Sequence, residues 1–333
     1  MLSRAKKFCL TALLSAMAIS AQEASAQTIK ADVFLYSYND PFIKELSSYY
    51  KDPSIVADFK IGIYNSSQDM LAEQSLISRA LTKKTQGIIV NPVDANNVKS
   101  LIEIAKKADC PIVFINRKPS DEDLLSYDKA FFVGSNSKLA GNLQADIMDR
   151  YFKEHTDADK NGDGVIHYAL IEGEVNHQDT IQRNLGLNDA LEVKAYKYEK
   201  DVSIVANWDY NQAYKQFSNY IANPAHLASL ECIFSNNDAM AGGVIHALQE
   251  KGYNLGQNNE KYIPIIGVDA TSNGKTLVDK GYMIASLKND ARAQVMLSLK
   301  IISLLNEGKS VDSESLGLNV SSQSLYVPYS VIE

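Results

Sequence analysis

From Asp32 onward, short runs of β-branched and aromatic residues alternate with longer stretches whose apolar positions recur at helical spacing. The apolar runs include VFLYSY, FKIGIY, GIIVN, PIVFIN and AFFVG, then YALIEG, CIFSN, YIPIIGVD and MIASL. Between them lie segments such as NVKSLIEIAKKA and SKLAGNLQADIMDRYFKEH, whose apolar residues fall on one helical face. Continuous apolar runs are the mark of strands covered on both faces, and strands alternating with amphipathic helices predict parallel sheets flanked by helices. So many strands crowd one doubly wound sheet, so the pattern predicts two α/β lobes of about five or six strands each.

Several runs end in Asn or Asp just before the next helix: VFLYSYND, PIVFINR, CIFSNND, IIGVDA and ASLKND. In an open parallel sheet those carboxyl ends are where ligands bind. Asn and Asp are also the preferred helix N-caps. Asp238 and Asp290, directly before helical stretches, read as caps, and Asp40 reads as another, with Pro41 pre-set for the first helical position. Asn116, Asn237, Asp269 and Asn289 then stand as candidate ligand contacts.

The chain has 333 residues, 45% of them hydrophobic, enough for two lobes with proper cores. Its start, MLSRAKKFCLTALLSAMAISAQEASAQ, has basic residues, an apolar run and the small-x-small end Ala24-Ser25-Ala26, which reads as a secretory signal of residues 1 to 26, cut before Gln27. Cys9 stands at the beginning of the apolar run, where a lipid-bearing cysteine would follow it, so a free exported protein is expected. Removing those residues, with three basic and one acidic side chains, takes the formal net charge from −7 to −9. That sign argues against nucleic acid and anionic membrane as partners. No later stretch reaches the roughly 18 apolar residues of a membrane span. Cys110 and Cys232 each open an apolar run and read as two buried thiols in different halves rather than a disulfide.

Residues 159 to 167, DKNGDGVIH, carry oxygen-bearing side chains at Asp159, Asn161 and Asp163, followed by Gly164, which is the opening of an EF-hand calcium loop. The twelfth position, where a bidentate glutamate belongs, is Leu170, and the following residues alternate like a strand. A calcium loop and an Asx-rich surface turn both remain open on this pattern.

The order NNDAMAGG, IIGVDA, LKNDA in an exported two-lobed α/β chain resembles the periplasmic sugar-binding proteins of the ribose/galactose type, which feed ABC importers. YSYNDPF, PIVFINRKPS, GEVNHQDTIQR, ANWD and the DKNGDG loop bring the resemblance closest to the members that bind D-galactose and D-glucose. It runs over about residues 30 to 330 and implies a periplasmic-binding-protein fold of two Rossmann-like lobes joined by a three-segment hinge. The implied crossings fall near 135, 289 and 322, giving an N-terminal lobe of 27–135 plus 290–321 and a second lobe of 136–289 plus 322–333. Asp40, Asn116, His177, Asp179, Arg183, Asn237, Asp269 and Asn289 would be the polar contacts to the sugar, with Phe42 and Trp208 covering its faces. The implied partners are an ABC permease and, in some members, a chemotaxis receptor; the protein would act as a monomer and not as an enzyme. Ribose, arabinose and methyl galactosides are the alternative ligands, and a secreted glycoside hydrolase using Asp40 and Asp269 is the remote alternative.

By the same resemblance the loop is closed by a glutamate from a distant strand, here Glu231, so that a structural calcium ion would tie two segments of one lobe together. Its ligands would be Asp159, Asn161, Asp163, the Val165 carbonyl, the residue at position nine and Glu231. Position nine is usually an amide, and His167 stands there. Imidazole is a poor partner for a hard cation, so the site is expected to be weaker, completed by water, or to have His167 pointing elsewhere.

Overall fold

The computed structural model describes residues 28–256 and 259–333; the expected signal segment lies outside the described residues. The first lobe opens with β1 (Ile29–Leu35), α1 (Pro41–Tyr49), β2 (Phe59–Asn65), α2 (Met70–Thr82), β3 (Gly87–Asn91), α3 (Lys99–Lys107), β4 (Ile112–Ile115), α4 (Asp121–Leu125) and β5 (Ala130–Gly134). The second contains α5 (Ser137–Glu154), β6 (Val165–Glu172), α6 (Gln178–Leu191), β7 (Lys197–Val205), α7 (Tyr210–Tyr220), α8 (Pro224–Ser229), β8 (Cys232–Ser235), α9 (Asp238–Gln249), β9 (Ile265–Asp269), α10 (Ser272–Asp279) and β10 (Ala285–Lys288). The chain then returns through α11 (Ala291–Asn306), α12 (Ser313–Leu316), β11 (Val320–Ser321) and β12 (Ser324–Tyr326), and ends on β13 (Ser330–Ile332).

The strand order is β11-β12-β5-β4-β3-β1-β2 in one sheet and β13-β10-β9-β8-β6-β7 in the other. Within each, the βαβ strands pair in parallel, as alternating strands and helices dictate. Each sheet is covered on both faces. In the first, Val33, Leu35, Val113 and Val133 pack under α1 and α11, while Phe34, Val90 and Phe114 pack under α2 and α3. In the second, Ile171 and Ile233 face α7 and α9, and Leu170, Phe234 and Val268 face α5 and α6. Cys110 and Cys232 are buried, free and in different lobes.

The chain passes between sheets at residues 135–136, 289–290 and 327–329. The last passage lies beyond the expected 322. The reason is pairing: Ser324 and Leu325 stand opposite Phe132 and Val133 of β5, which keeps β12 in the first sheet, and only β13 crosses over to pair with β10. Strand β7 was absent from the apolar runs because it is an edge strand whose residues, KYEKDVSIV, are mostly exposed. Asp238 is a second correction. Asn237 is the N-cap of α9, its Oδ1 accepting from Met240 N at 2.9 Å, whereas Asp238 turns inward and accepts from Ser286 Oγ at 2.7 Å. Asp290 does cap α11, through Ala293 N at 3.0 Å.

Helices α5 and α6 pack backbone to backbone. A Cβ on Gly186 would stand 2.0 Å from the Lys138 carbonyl oxygen, and one on Gly141 2.0 Å from that of Arg183. Gly186→Ala should therefore force the helices apart and destabilise the protein by roughly 1–3 kcal/mol in urea unfolding. Unchanged stability would contradict this close approach.

Candidate functional site

The carboxyl ends of both sheets face each other across a cleft, and a pocket there is lined by Asp40, Phe42, Asn116 and Arg117 from the first lobe and by His177, Asp179, Arg183, Trp208, Asn237 and Asp269 from the second. Nine of the residues expected from the sequence are thus brought together. Asn289 stands behind them in the second connecting segment: its Nδ2 donates to Asp269 Oδ1 at 3.3 Å, and its Oδ1 accepts from Ser135 Oγ at 2.9 Å and Gln294 Nε2 at 2.7 Å. Arg117 was missed by the sequence reading. It directly follows Asn116, and an arginine after an apolar run that ends in Asn was the available signal.

Local structure fixes each group. Asp40 does two jobs with one carboxylate: Oδ1 caps α1 through Phe42 N at 2.8 Å, and Oδ2 accepts from Tyr36 Oη at 2.8 Å. Asn116, Trp208 and Asp269 all have positive φ, at 65°, 64° and 107°. Such backbone is strained for residues with a Cβ and concentrates where side chains must be aimed at a ligand. Trp208 packs with the second lobe's core and is T-stacked on His177, with ring centroids 5.1 Å apart. It can lie there because Gly173 has no side chain; a Cβ would come within 2.1 Å of the indole.

Asp179 and Arg183 share one face of α6, as the i, i+4 spacing predicts, with Arg183 Nη2 3.5 Å from Asp179 Oδ2. Asp179 Oδ1 also accepts from Ser137 Oγ at 2.6 Å, and Arg183 Nη1 donates to the Asn236 carbonyl at 2.5 Å. Asn237, while capping α9, donates from Nδ2 to the Trp208 carbonyl at 3.4 Å. Arg117 Nε and Trp208 Nε1, on residues that line the pocket, are buried and make no hydrogen bond within the protein. The carboxylate, amide and guanidinium groups that line the pocket offer both acceptors and donors to a polar ligand.

Burial dominates the electrostatics. It pushes the Asp269 carboxyl well above the usual range, with the Arg183 guanidinium pulling against it and Asp238 and Asp40 adding to it. Asp238 is pushed up to about 7 by burial, opposed by its hydrogen bonds from Ser286 and the Thr271 and Ala270 amides. His177 is driven down to about 3, first by burial and then by the Arg117 and Arg183 charges. Its geometry agrees: Nδ1 accepts from Asp179 N at 3.0 Å, which a protonated ring could not do, so the proton sits on Nε2.

The loop at 159–167 is held mainly by its own backbone. Asp159 accepts from Gly162 N at 2.8 Å and Gly164 N at 3.0 Å, and Asp163 Oδ1 from Val165 N at 2.8 Å. Asn161 Oδ1 accepts from Asp163 N at 3.0 Å. Glu231, buried at the start of β8, reaches the loop as the resemblance implies, accepting from Lys160 N at 2.8 Å and His167 N at 2.9 Å. The His167 ring turns away to Asp201, 2.7 Å from Oδ1, and that hydrogen bond raises its pKa. The donors are hard oxygens suited to calcium. Among the described residues, however, no three His, Cys, Asp or Glu side chains converge as a metal cluster, so an ion would have to draw Asp159, Asp163 and Glu231 together.

With fold and pocket described, comparison with known proteins gives the class. Residues 32–310 match the periplasmic binding protein domain, and the chain belongs to that family. This agrees with the ribose/galactose-type resemblance and sets aside the glycoside hydrolase alternative. The chain is 27% identical over 328 residues to the D-galactose/methyl-galactoside binding periplasmic protein of Haemophilus influenzae, covering 96% of this chain and 95% of that protein. It is 23% identical over 280 residues to the ribose import binding protein of Salmonella typhimurium, covering 84% and 86%. An ABC transporter periplasmic solute binding protein from Actinobacillus succinogenes, solved with bound D-allose, has the same fold at a TM-score of 0.76 and 19% identity, over 92% of this chain and 97% of that one.

The neutral, half-buried His177 has a consequence for stability. Above about pH 6.5 the ring is neutral in both folded and unfolded chains and adds no pH dependence. Below it the unfolded chain takes up a proton that the folded pocket refuses until about pH 3, so stability falls as pH falls. Urea unfolding between about pH 7 and pH 4 should show a shallower decline for His177→Asn, which retains a capping acceptor. Parallel declines for the two proteins would contradict a neutral His177.

Proposed function

We propose that this protein captures a hexose pyranose, D-galactose or D-glucose, in the cleft and presents the closed form to an ABC permease. The observation that carries this reading is a pocket lined by Phe42 of one lobe and Trp208 of the other together with carboxylate, amide and guanidinium groups. A pyranose has hydroxyls that both donate and accept and two faces of C–H groups; charged and amide side chains match the rim, and flat rings match the faces. With Asp40, Phe42 and Asn116 on one lobe and His177, Asp179, Arg183, Trp208, Asn237 and Asp269 on the other, a bound sugar biases the hinge towards closure. A micromolar dissociation constant corresponds to about −8 kcal/mol, within reach of a ligand of hexose size.

Family membership implies the periplasm and an ABC permease as partner; we propose in addition export through residues 1 to 26, action as a monomer, and a chemotaxis receptor as a further reader of the closed form. A second reading, another sugar in the same pocket, is supported by the ribose import binding relative and the D-allose-bound structure. Titration of the mature protein with D-galactose, D-glucose, D-ribose and L-arabinose, followed by the emission of its single tryptophan, separates the two. Saturation near micromolar hexose with silent pentoses is expected. A response to pentoses alone would replace the ligand, and silence with every sugar would refute the site.

We further propose that the 159–167 loop takes a calcium ion through Asp159, Asn161, Asp163, the Val165 carbonyl and Glu231, with water where an amide would otherwise serve, since His167 is engaged by Asp201. The ion would be structural, tying the β6 approach to β8. Calorimetry on chelator-stripped protein should give a dissociation constant of roughly 10⁻⁵ to 10⁻³ M, with a higher melting temperature in calcium. No heat and no thermal shift would refute it.

A further inference from the structure

One ion pair spans the mouth of the cleft. Arg117 follows β4 in the first lobe, Glu174 lies between β6 and α6 in the second, and Arg117 Nη2 donates to Glu174 Oε1 at 3.3 Å. The other ion pairs among the described residues join groups within one lobe or, for Lys288 and Asp290, near neighbours in a connecting segment.

Its two halves differ. Arg117 is buried and, apart from Glu174, held by first-lobe contacts: Nη1 donates to the Val93 carbonyl at 2.8 Å, and the guanidinium lies 3.7 Å from the centroid of the Tyr36 ring. Tyr36 is itself tied to Asp40. The Glu174 side chain is 40% exposed and lines an outer cavity together with Asp94, Asn96 and Asn176. Arg117 and His177 border both this cavity and the inner pocket, so the pair stands on the boundary between them.

A half-exposed ion pair between two flexible chains contributes little, because ordering both side chains offsets the attraction. Here the arginine is already ordered and stacked, so only Glu174 loses freedom when the lobes meet. We propose that Arg117 and Glu174 form a latch across the cleft that stabilises the closed arrangement and slows escape of the ligand. Glu174 acts through Arg117 and needs no contact with the sugar. Because the pair forms only when the lobes are together, it acts on dissociation rather than on encounter. This inference rests on the reading of the inner pocket as a sugar site.

Stopped-flow emission of Trp208 tests it with Glu174→Gln, Arg117→Gln and the double variant, using the hexose that binds the wild type. Glu174→Gln should raise the dissociation rate roughly three- to ten-fold and leave association within about two-fold. In the Arg117→Gln background the Glu174 change should add nothing further. A wild-type dissociation rate in Glu174→Gln, or an equal increase without Arg117, would overturn the latch. If the wild type binds no sugar, the functional reading fails by itself and the latch is read from X-ray scattering of the sugar-free proteins. A larger radius of gyration for Glu174→Gln supports it, and an identical radius overturns it.

Discussion

The Arg183 guanidinium is 3% exposed, and taking such an ion out of water costs several kcal/mol unless acceptors surround it. Asp179, the Asn236 carbonyl, the Tyr329 hydroxyl and the face of Trp208, 5.6 Å away, supply that surrounding. Much of the second lobe follows from meeting this demand. The close packing of α5 on α6 delivers Ser137 to Asp179, the N-terminus of α9 positions Asn237, and Asn289 holds Asp269 from the connecting segment. The Tyr329 hydroxyl, also buried, stands beside the Arg183 guanidinium.

The first lobe contributes fewer polar groups and one aromatic face. Its Asp40 is pre-set by a helix cap and by Tyr36, so its carboxylate is oriented before any ligand arrives. The connecting segments are themselves cross-braced, Ser135 of the first bonding to Asn289 of the second, which in turn reaches Asp269 in the pocket. Pocket and hinge are therefore joined by one short chain of hydrogen bonds. In the proposed mechanism a ligand that engages Asp269 would touch a group whose support lies in a segment connecting the lobes, which would couple closure to binding.

Much of this was legible in the sequence. Buried parallel strands announce themselves as apolar runs, so the two-lobed α/β plan and its strand ends could be read directly. Edge strand β7 could not, because one exposed side and a polar composition leave no apolar run, and β11 to β13 are too short to carry a period. The pocket residues were gathered by resemblance, since strand-end asparagines and aspartates cap helices as readily as they bind ligands; Asn237 does the capping that Asp238 was expected to do. Asn289 lies outside the pocket lining and donates to Asp269, which lines it. Arg117 was overlooked because its value comes from Tyr36, Val93 and Glu174, three partners distant in sequence that only the fold assembles.

The central claim is that a single pyranose completes the hydrogen bonding of this cleft while lying between Phe42 and Trp208. A crystal structure of the mature protein grown with D-galactose tests it most directly. One sugar ring is expected between those two side chains, with hydroxyls on Asp40, Asp179 and Arg183 and the lobes closed over it. Density for the sugar elsewhere on the surface, or an empty cleft at saturating galactose and glucose alike, would contradict it.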